Sequence, residues 1–259
     1  MAAGDVDVQL INPASESCAS FDGVDDVISL TKTFGVTTAG TICCFVKWAP
    51  NVGANNTRPM GKASNFAFEI VDTAGGTQGR VDILNAGLSD TYLVGVTKIS
   101  QNTWAHIAGV YDGTNMRIYV NGVLSASEAA TGSLTDGSNE FFVSGEIVSR
   151  EMNGFVRDVR MYNRGLSAAE VLRVSNGEAI TEGLVVWWKL NDASGSATAS
   201  DSSGNGNDGT VTGAVFIKDS GSVDTAITTQ RTTTGATGTF LLADTMNGTA
   251  LLSTAITQA

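Results

Sequence analysis

The chain has 259 residues, enough for one large β-sandwich with an appendage or for two small domains. It is 42% hydrophobic and 16% charged, with thirty glycines against three prolines, so it can bury a full core and make many tight turns between short strands. A formal net charge of −11 repels phosphate backbones and argues against nucleic-acid binding.

In chain order, Ser20–Leu30 (SFDGVDDVISL) reads as strand, corner, strand. Phe21 points into a core, Asp22-Gly23 supplies the positive φ angles of a tight turn, and Val24, Val27, Ile28 and Leu30 continue a half-buried strand. Thr41–Trp48 (TICCFVKW) is a continuous β-prone run suited to a central strand. Asn51–Arg58 is a polar loop. Phe66–Val71 and Arg80–Leu84 form strands around DTAGGTQG, and another strand follows near Tyr92–Val96. Trp104–Ser127 is a meander, with corners at Asp112-Gly113 and Asn121-Gly122 and with Met116, Ile118 and Val120 on one face. Phe141–Val143 adds a strand. Phe155–Tyr162 alternates, Val159 and Met161 inward and Asp158, Arg160 and Tyr162 outward. The period then changes. Ser167-Ala-Ala-Glu170 is a capping box for a short helix with Val171 and Leu172 on its apolar side, closed by Asn176-Gly177. In the next strand Leu184, Val186, Trp188 and Leu190 share one face, and Val185, Trp187 and Lys189 the other. Phe240–Leu242 and Ala250–Leu252 flank Asn247-Gly248 as a hairpin, a unit that is marginal alone in water.

Four of these phrases, Ser20–Leu30, Trp104–Ser127, Gly154–Gly177 and Gly183–Gly213 (GLVVWWKLNDASGSATASDSSGNGNDGTVTG), together resemble the laminin-G-like, concanavalin-A-like jelly-roll family. The resemblance spans Phe21 to Val215. It implies an all-β, two-sheet antiparallel jelly-roll sandwich with one short helix, assigned to residues 1–217; beyond it, composition alone marks 218–259 as a Thr-rich β appendage expected to serve assembly. In that family a phrase like 184–213 precedes the FDG phrase, whereas here it follows the helix. Two arrangements are open. The segment fills its usual place in permuted order, the preferred reading, or it begins a truncated second copy that would expose Trp187 or Trp188.

Catalytic constellations are missing. The paired-carboxylate phrases of the family's glucanases are absent, and Glu140, Glu146 and Glu151 do not share a strand face. The lone histidine, His106, lies within a strand and reads as structural. Gly204–Gly209 satisfies G-x-G-x-x-G, but no helix pattern follows, so dinucleotide binding is rejected. The chain is expected not to be an enzyme, with glycosidase kept as a distant third alternative. Calcium is the leading chemical expectation, because Asp25, Asp26, Asp201, Asn205, Asn207 and Asp208 offer hard oxygen ligands in Gly-rich turns. The competing reading is that these residues only cap turns. Trp48, Tyr92, Tyr162 and Trp187 are the candidate aromatic platforms for sugar, against core packing as the competing role. Cys18, Cys43 and Cys44 read as free, buried thiols, with a Cys18 bridge left open.

Two roles are expected. The first is a structural or adhesion component of an extracellular assembly, best a virion decoration, tail or fibre protein, partnering other structural proteins or copies of itself. The second is a calcium-assisted carbohydrate-binding module with glycans as partners. No membrane insertion is expected, since no apolar run reaches roughly 18 residues. MAAGDVDVQL lacks the marks of a secretory signal, so the expected location is a virion or extracellular surface after synthesis in the cytoplasm.

Overall fold

A computed structural model describes residues 17–50, 56–62, 66–72, 78–85, 92–134, 140–145, 150–218, 245–246 and 249–250. The expected 51–55 loop, the 73–77 turn and the Phe240–Leu242 strand lie outside these residues. The chain divides into two compact units, one of residues 17–217 and one of 1–16 with 218–259.

The strands are β1 (Ser17–Asp22), β2 (Val27–Thr31), β3 (Gly40–Ala49), β4 (Asn56–Thr57), β5 (Met60–Lys62), β6 (Phe66–Asp72) and β7 (Gln78–Asn85). There follow β8 (Tyr92–Ser100), β9 (Ala105–Tyr111), β10 (Asn115–Val120), β11 (Val123–Ala129), β12 (Glu140–Val143) and β13 (Asn153–Tyr162). The helix α1 (Ala168–Ser175) precedes β14 (Leu184–Trp188), β15 (Thr198–Ala199), β16 (Gly209–Thr212) and β17 (Val215–Lys218). In the other unit, β18 (Thr245–Met246) pairs antiparallel with β19 (Thr249–Ala250).

Two antiparallel sheets form the sandwich. The first runs β11–β10–β9–β3–β13–β1–β17, with β14 also on β13; the second runs β15–β16–β2–β12–β5–β6–β7–β8, with β4 on β6. The period-2 pattern places Ile42, Cys44, Val46 and Trp48 of β3, and Met116, Ile118 and Val120 of β10, in one core against Ile28, Phe68, Ile70, Phe141 and Val143 of the second sheet.

The long strand β13 shows how residues 184–213 are placed. Its first half pairs with β1 and its second half with β14, on the same side, across an irregularity between Arg157 and Arg160. The displaced residue, Asp158, has φ +52°. β16 pairs with β2 in the second sheet, so 184–213 contributes to both sheets of one sandwich. Trp188 is fully buried, 5.0 Å from the Phe141 ring centre, and its Nε1–H donates to the Asn207 carbonyl at 2.7 Å.

Some side chains depart from expectation. A second register shift, at Met161/Tyr162, leaves Val185 without a partner and turns Leu184 to the opposite face from Val186. Val24 lies in the turn, exposed, because β2 begins only at Val27. The capping box of α1 forms, but Val171 and Val174 are the buried pair and Leu172 faces out. All three cysteines are buried and none is in a disulfide, so Cys18 forms no bridge. Among the described residues no helix is long and apolar enough to cross a membrane.

Candidate functional site

The outer face of the first sheet has two halves. One is roofed by α1 and the segment after it, where Cys43, Val110, Tyr162, Leu166, Val171 and Val174 form a smaller apolar cluster. The other half carries two cross-strand rows. Phe155 of β13 pairs with Lys47 of β3, and Trp104 immediately precedes β9 alongside; one step further, Arg157 pairs with Phe45, which pairs with His106. The five residues other than His106 are half-buried. The Lys47 ammonium lies 5.3 Å from the Phe155 ring centre. The Arg157 guanidinium lies 4.4 Å from Phe45 and 4.8 Å from Trp104, so aromatic faces fix its plane.

His106 is 1% exposed, and neither ring nitrogen has a hydrogen-bond partner. Burial pushes its pKa down to about 4, so the imidazole is neutral at pH 7. Its ring meets Phe45 edge-on at 5.0 Å.

A carboxylate group borders these rows. Asp22, at the end of β1, is the cross-strand neighbour of Asn153, one row (roughly 7 Å) from the Ser20–Phe155 pair. Carboxylate oxygens of Asp22, Asp25 and Asp26 all lie within 4.8 Å of one another. Asp26 is buried, and its Oδ2 accepts the Asp22 N–H at 2.8 Å. Burial raises the Asp26 pKa, and its acidic neighbours add to that, outweighing the backbone hydrogen bond. The fold makes room for this carboxylate with a glycine: a Cβ on Gly213 (φ +75°) would stand 2.1 Å from Asp26 Oδ1.

The predicted metal ligands do not form one set. Asp25 and Asp26 precede β2, whereas Asn207 is joined to Lys32 just after its far end, so five strand residues separate the groups. The 201–208 loop spends its oxygens on itself. Asp201 accepts the Trp187, Ser203 and Asn207 N–H groups and the Ser203 hydroxyl. Burial works against its charge, yet these bonds hold its pKa below the usual range. Asn205 and Asn207 donate to the Val185 carbonyl, and Asp208 accepts the Asp201 N–H at 2.7 Å. Asp201, Asn205 and Asn207 fasten the loop to β14, and Asp208 braces Asp201 within it.

The aromatic candidates also separate. Trp48 lies in the core and Tyr162 beneath α1, 1% and 0% exposed, so neither can meet a sugar and that expectation is corrected for both. Trp48 shares the inward face of β3, whereas Tyr162 faces outward as alternation requires and is roofed by α1. Trp187 has Arg160 and Lys189 at 4.5 and 4.6 Å from its ring centre, and its Nε1–H donates to Asp158, so it belongs to an ion-pair stack. Tyr92 lies on the outer face of the other sheet. Its hydroxyl donates to Asp82 Oδ2 at 2.7 Å, and it neighbours Glu69. Arg80 pairs with Asp82, and Arg150 and Asn56 with Glu69.

Sequence reasoning missed Asp22, Phe45, Lys47, Trp104, Phe155 and Arg157. The available signal was the Phe-x-Lys and Phe-x-Arg alternation on two strands, but only their register brings the pairs together.

Residues 22–172, more than half of the chain, match the family model described as the concanavalin A-like lectin/glucanases superfamily, a laminin-G type, and the chain belongs to that family. Its fold is similar to that of a Bacteroides ovatus protein provisionally named as carbohydrate-binding: TM-score 0.60, 16% identity, covering 79% of this chain and 60% of that one. It is similar also to a heptameric SAP-like pentraxin from Limulus polyphemus: TM-score 0.59, 16% identity, covering 78% of this chain and 94% of that one. No curated protein matches by sequence.

Proposed function

We propose that this protein is a non-catalytic carbohydrate-binding domain whose ligand lies on the open half of the first sheet, with a calcium ion at Asp22, Asp25 and Asp26. The observation that carries this reading is the pair of rows Phe155–Lys47–Trp104 and Arg157–Phe45–His106 standing beside those carboxylates. A sugar ring has an apolar C–H face and a rim of hydroxyls. The aromatic rings suit the first, and the Lys47 and Arg157 N–H groups suit the second. The three carboxylates supply hard oxygen ligands of the kind calcium takes, with carbonyls, water or sugar hydroxyls left to complete its shell. Likeness in fold to a protein provisionally named as carbohydrate-binding agrees with this reading. The non-catalytic part is supported by Glu69 and Asp82, a cross-strand carboxylate pair whose oxygens are engaged by Arg150, Asn56, Arg80 and Tyr92. A glycan array read with and without chelator tests the proposal. Binding should appear, weaken on chelation, and be lost in Trp104→Ala; silence across the array overturns it.

A second reading sets this domain in a virion or another extracellular assembly. It is favoured by one observation: 218–259 groups with 1–16 as a compact unit separate from 17–217. On this reading the terminal unit docks on neighbouring structural proteins or on copies of the chain. Size analysis of the full chain against a chain ending at Ile217 tests it. Loss of assembly on truncation is expected, and unchanged assembly refutes the role.

A further inference from the structure

Every cation–ring contact among the described residues, except that of Lys62 with Phe34, lies on the outer face of the first sheet. Lys47 and Arg157 make theirs on the open half, and the exposed Lys189 makes its own with Trp187 just beyond. The three cations belong to one patch. Lys47 pairs with Phe155, two residues before Arg157 on β13, so Lys47 and Arg157 are diagonal neighbours, about 7–8 Å apart. On the other side of β13 the Lys189 carbonyl accepts the N–H of Asp158, the residue next to Arg157. From β3 across β13 to β14 is two strand spacings, about 10 Å. The carboxylate beside them is engaged: Asp158 accepts two bonds from Arg160, at 2.7 and 2.8 Å, and one from Trp187.

The geometry points to a glycan that bears a negative group, a carboxylate or a sulfate, as the ligand of this patch. The inference rests on the reading of the open face as a glycan site. A neutral sugar asks for an apolar platform and hydrogen-bonding groups, but for no gathering of charge. Cations collected on one face of a chain with net charge −11 are matched by an anion. Arg157 adds shape to charge. With rings against its planar faces it donates along its edge, a fork that fits two oxygens of one carboxylate or sulfate. Hydrogen bonds of about 2.8 Å on either side let one such group bridge Arg157 and Lys47 across their diagonal. Acidic groups elsewhere do not cancel this attraction, because physiological salt screens exposed charges beyond about 8 Å. They do limit the ligand. A polyphosphate chain would run off so small a patch onto acidic surface, whereas a short glycan is contained. Asp22, Asp25 and Asp26 stand at the rim, so the test keeps calcium present to offset them.

The test is titration calorimetry on the full chain with four probes. They are tetragalacturonate, its full methyl ester, a carrageenan tetrasaccharide charged only by sulfates, and octathymidylate. One of the two acidic sugars should bind about tenfold or more tighter than the methyl ester, the ratio expected from one charged hydrogen bond. Which of the two binds tells carboxylate from sulfate. Lys47→Gln and Lys189→Gln should each weaken that binding and leave the methyl ester unmoved, with the fold checked by circular dichroism. Arg157→Lys, which keeps the charge and loses the fork, should weaken it also. A methyl ester that binds as tightly as the acids, or a glycan array whose binders are all uncharged, overturns this inference and leaves the glycan-binding reading in place. Silence toward every glycan removes both. Octathymidylate bound as tightly as the acidic sugars, or charge variants that bind them like the wild type, also overturns it.

Discussion

Asp26 is a buried carboxylate with acidic neighbours at positions 22 and 25. Its raised pKa means that the folded state disfavours its charge, so it lowers stability progressively as pH rises above the ordinary carboxylate range. A bound cation would reverse that balance. Asp26→Asn should therefore raise the melting temperature at pH 7 in the presence of a chelator. Calcium should raise the melting temperature of the wild type and leave the variant unmoved. Equal calcium shifts in both proteins would remove Asp26 from the site. Asp25 and Asp26 were legible as candidate ligands because adjacent acids beside a turn glycine are conspicuous. Asp22 was not, because in FDG it reads as the turn former that it also is, its Oδ1 accepting the Val24 N–H at 2.9 Å.

Elements were legible wherever one face of a strand is buried. In the 104–127 meander, Met116, Ile118 and Val120 lie in the core as alternation requires, and Asn121-Gly122 turns with both φ angles positive. The Ser167–Glu170 capping box formed from its sequence signature alone, because it depends on four neighbouring residues. The irregular points were not legible. Nothing local distinguishes Ser125, Asp158 or Val185 from other strand residues, yet each sits where a ladder slips and side chains change face. Such slips are settled between strands. That is why Leu184 was assigned to the wrong face.

For the whole molecule, acid stability joins groups that are distant in the chain. His106 is buried neutral, with its pKa lowered from 6.5 to about 4. Between those values the unfolded chain binds the extra proton, so stability falls as pH drops from 6.5 towards 4, by about 3 kcal/mol in all. Glu170, drawn down to about 2 mainly by its bonds to Arg164, adds a loss that begins only below the ordinary carboxylate range. Denaturant midpoints measured from pH 7 to pH 4.5 should decline in the wild type and stay flatter in His106→Leu. Parallel curves would refute the assignment. The sequence by itself determined the class of fold, the turn positions, the helix cap and most inward-facing residues, because each follows from alternation or from residues a few positions apart. Tertiary structure alone decided that 184–213 completes the same sandwich, that Trp48 and Tyr162 are out of reach of any ligand, and that the 201–208 oxygens hold a loop. It also placed Phe155, Lys47, Trp104, Arg157 and Phe45 together on one face of the first sheet. Those outcomes depend on register between strands far apart in the chain, and a one-residue shift in register moves a side chain to the opposite face of the sheet.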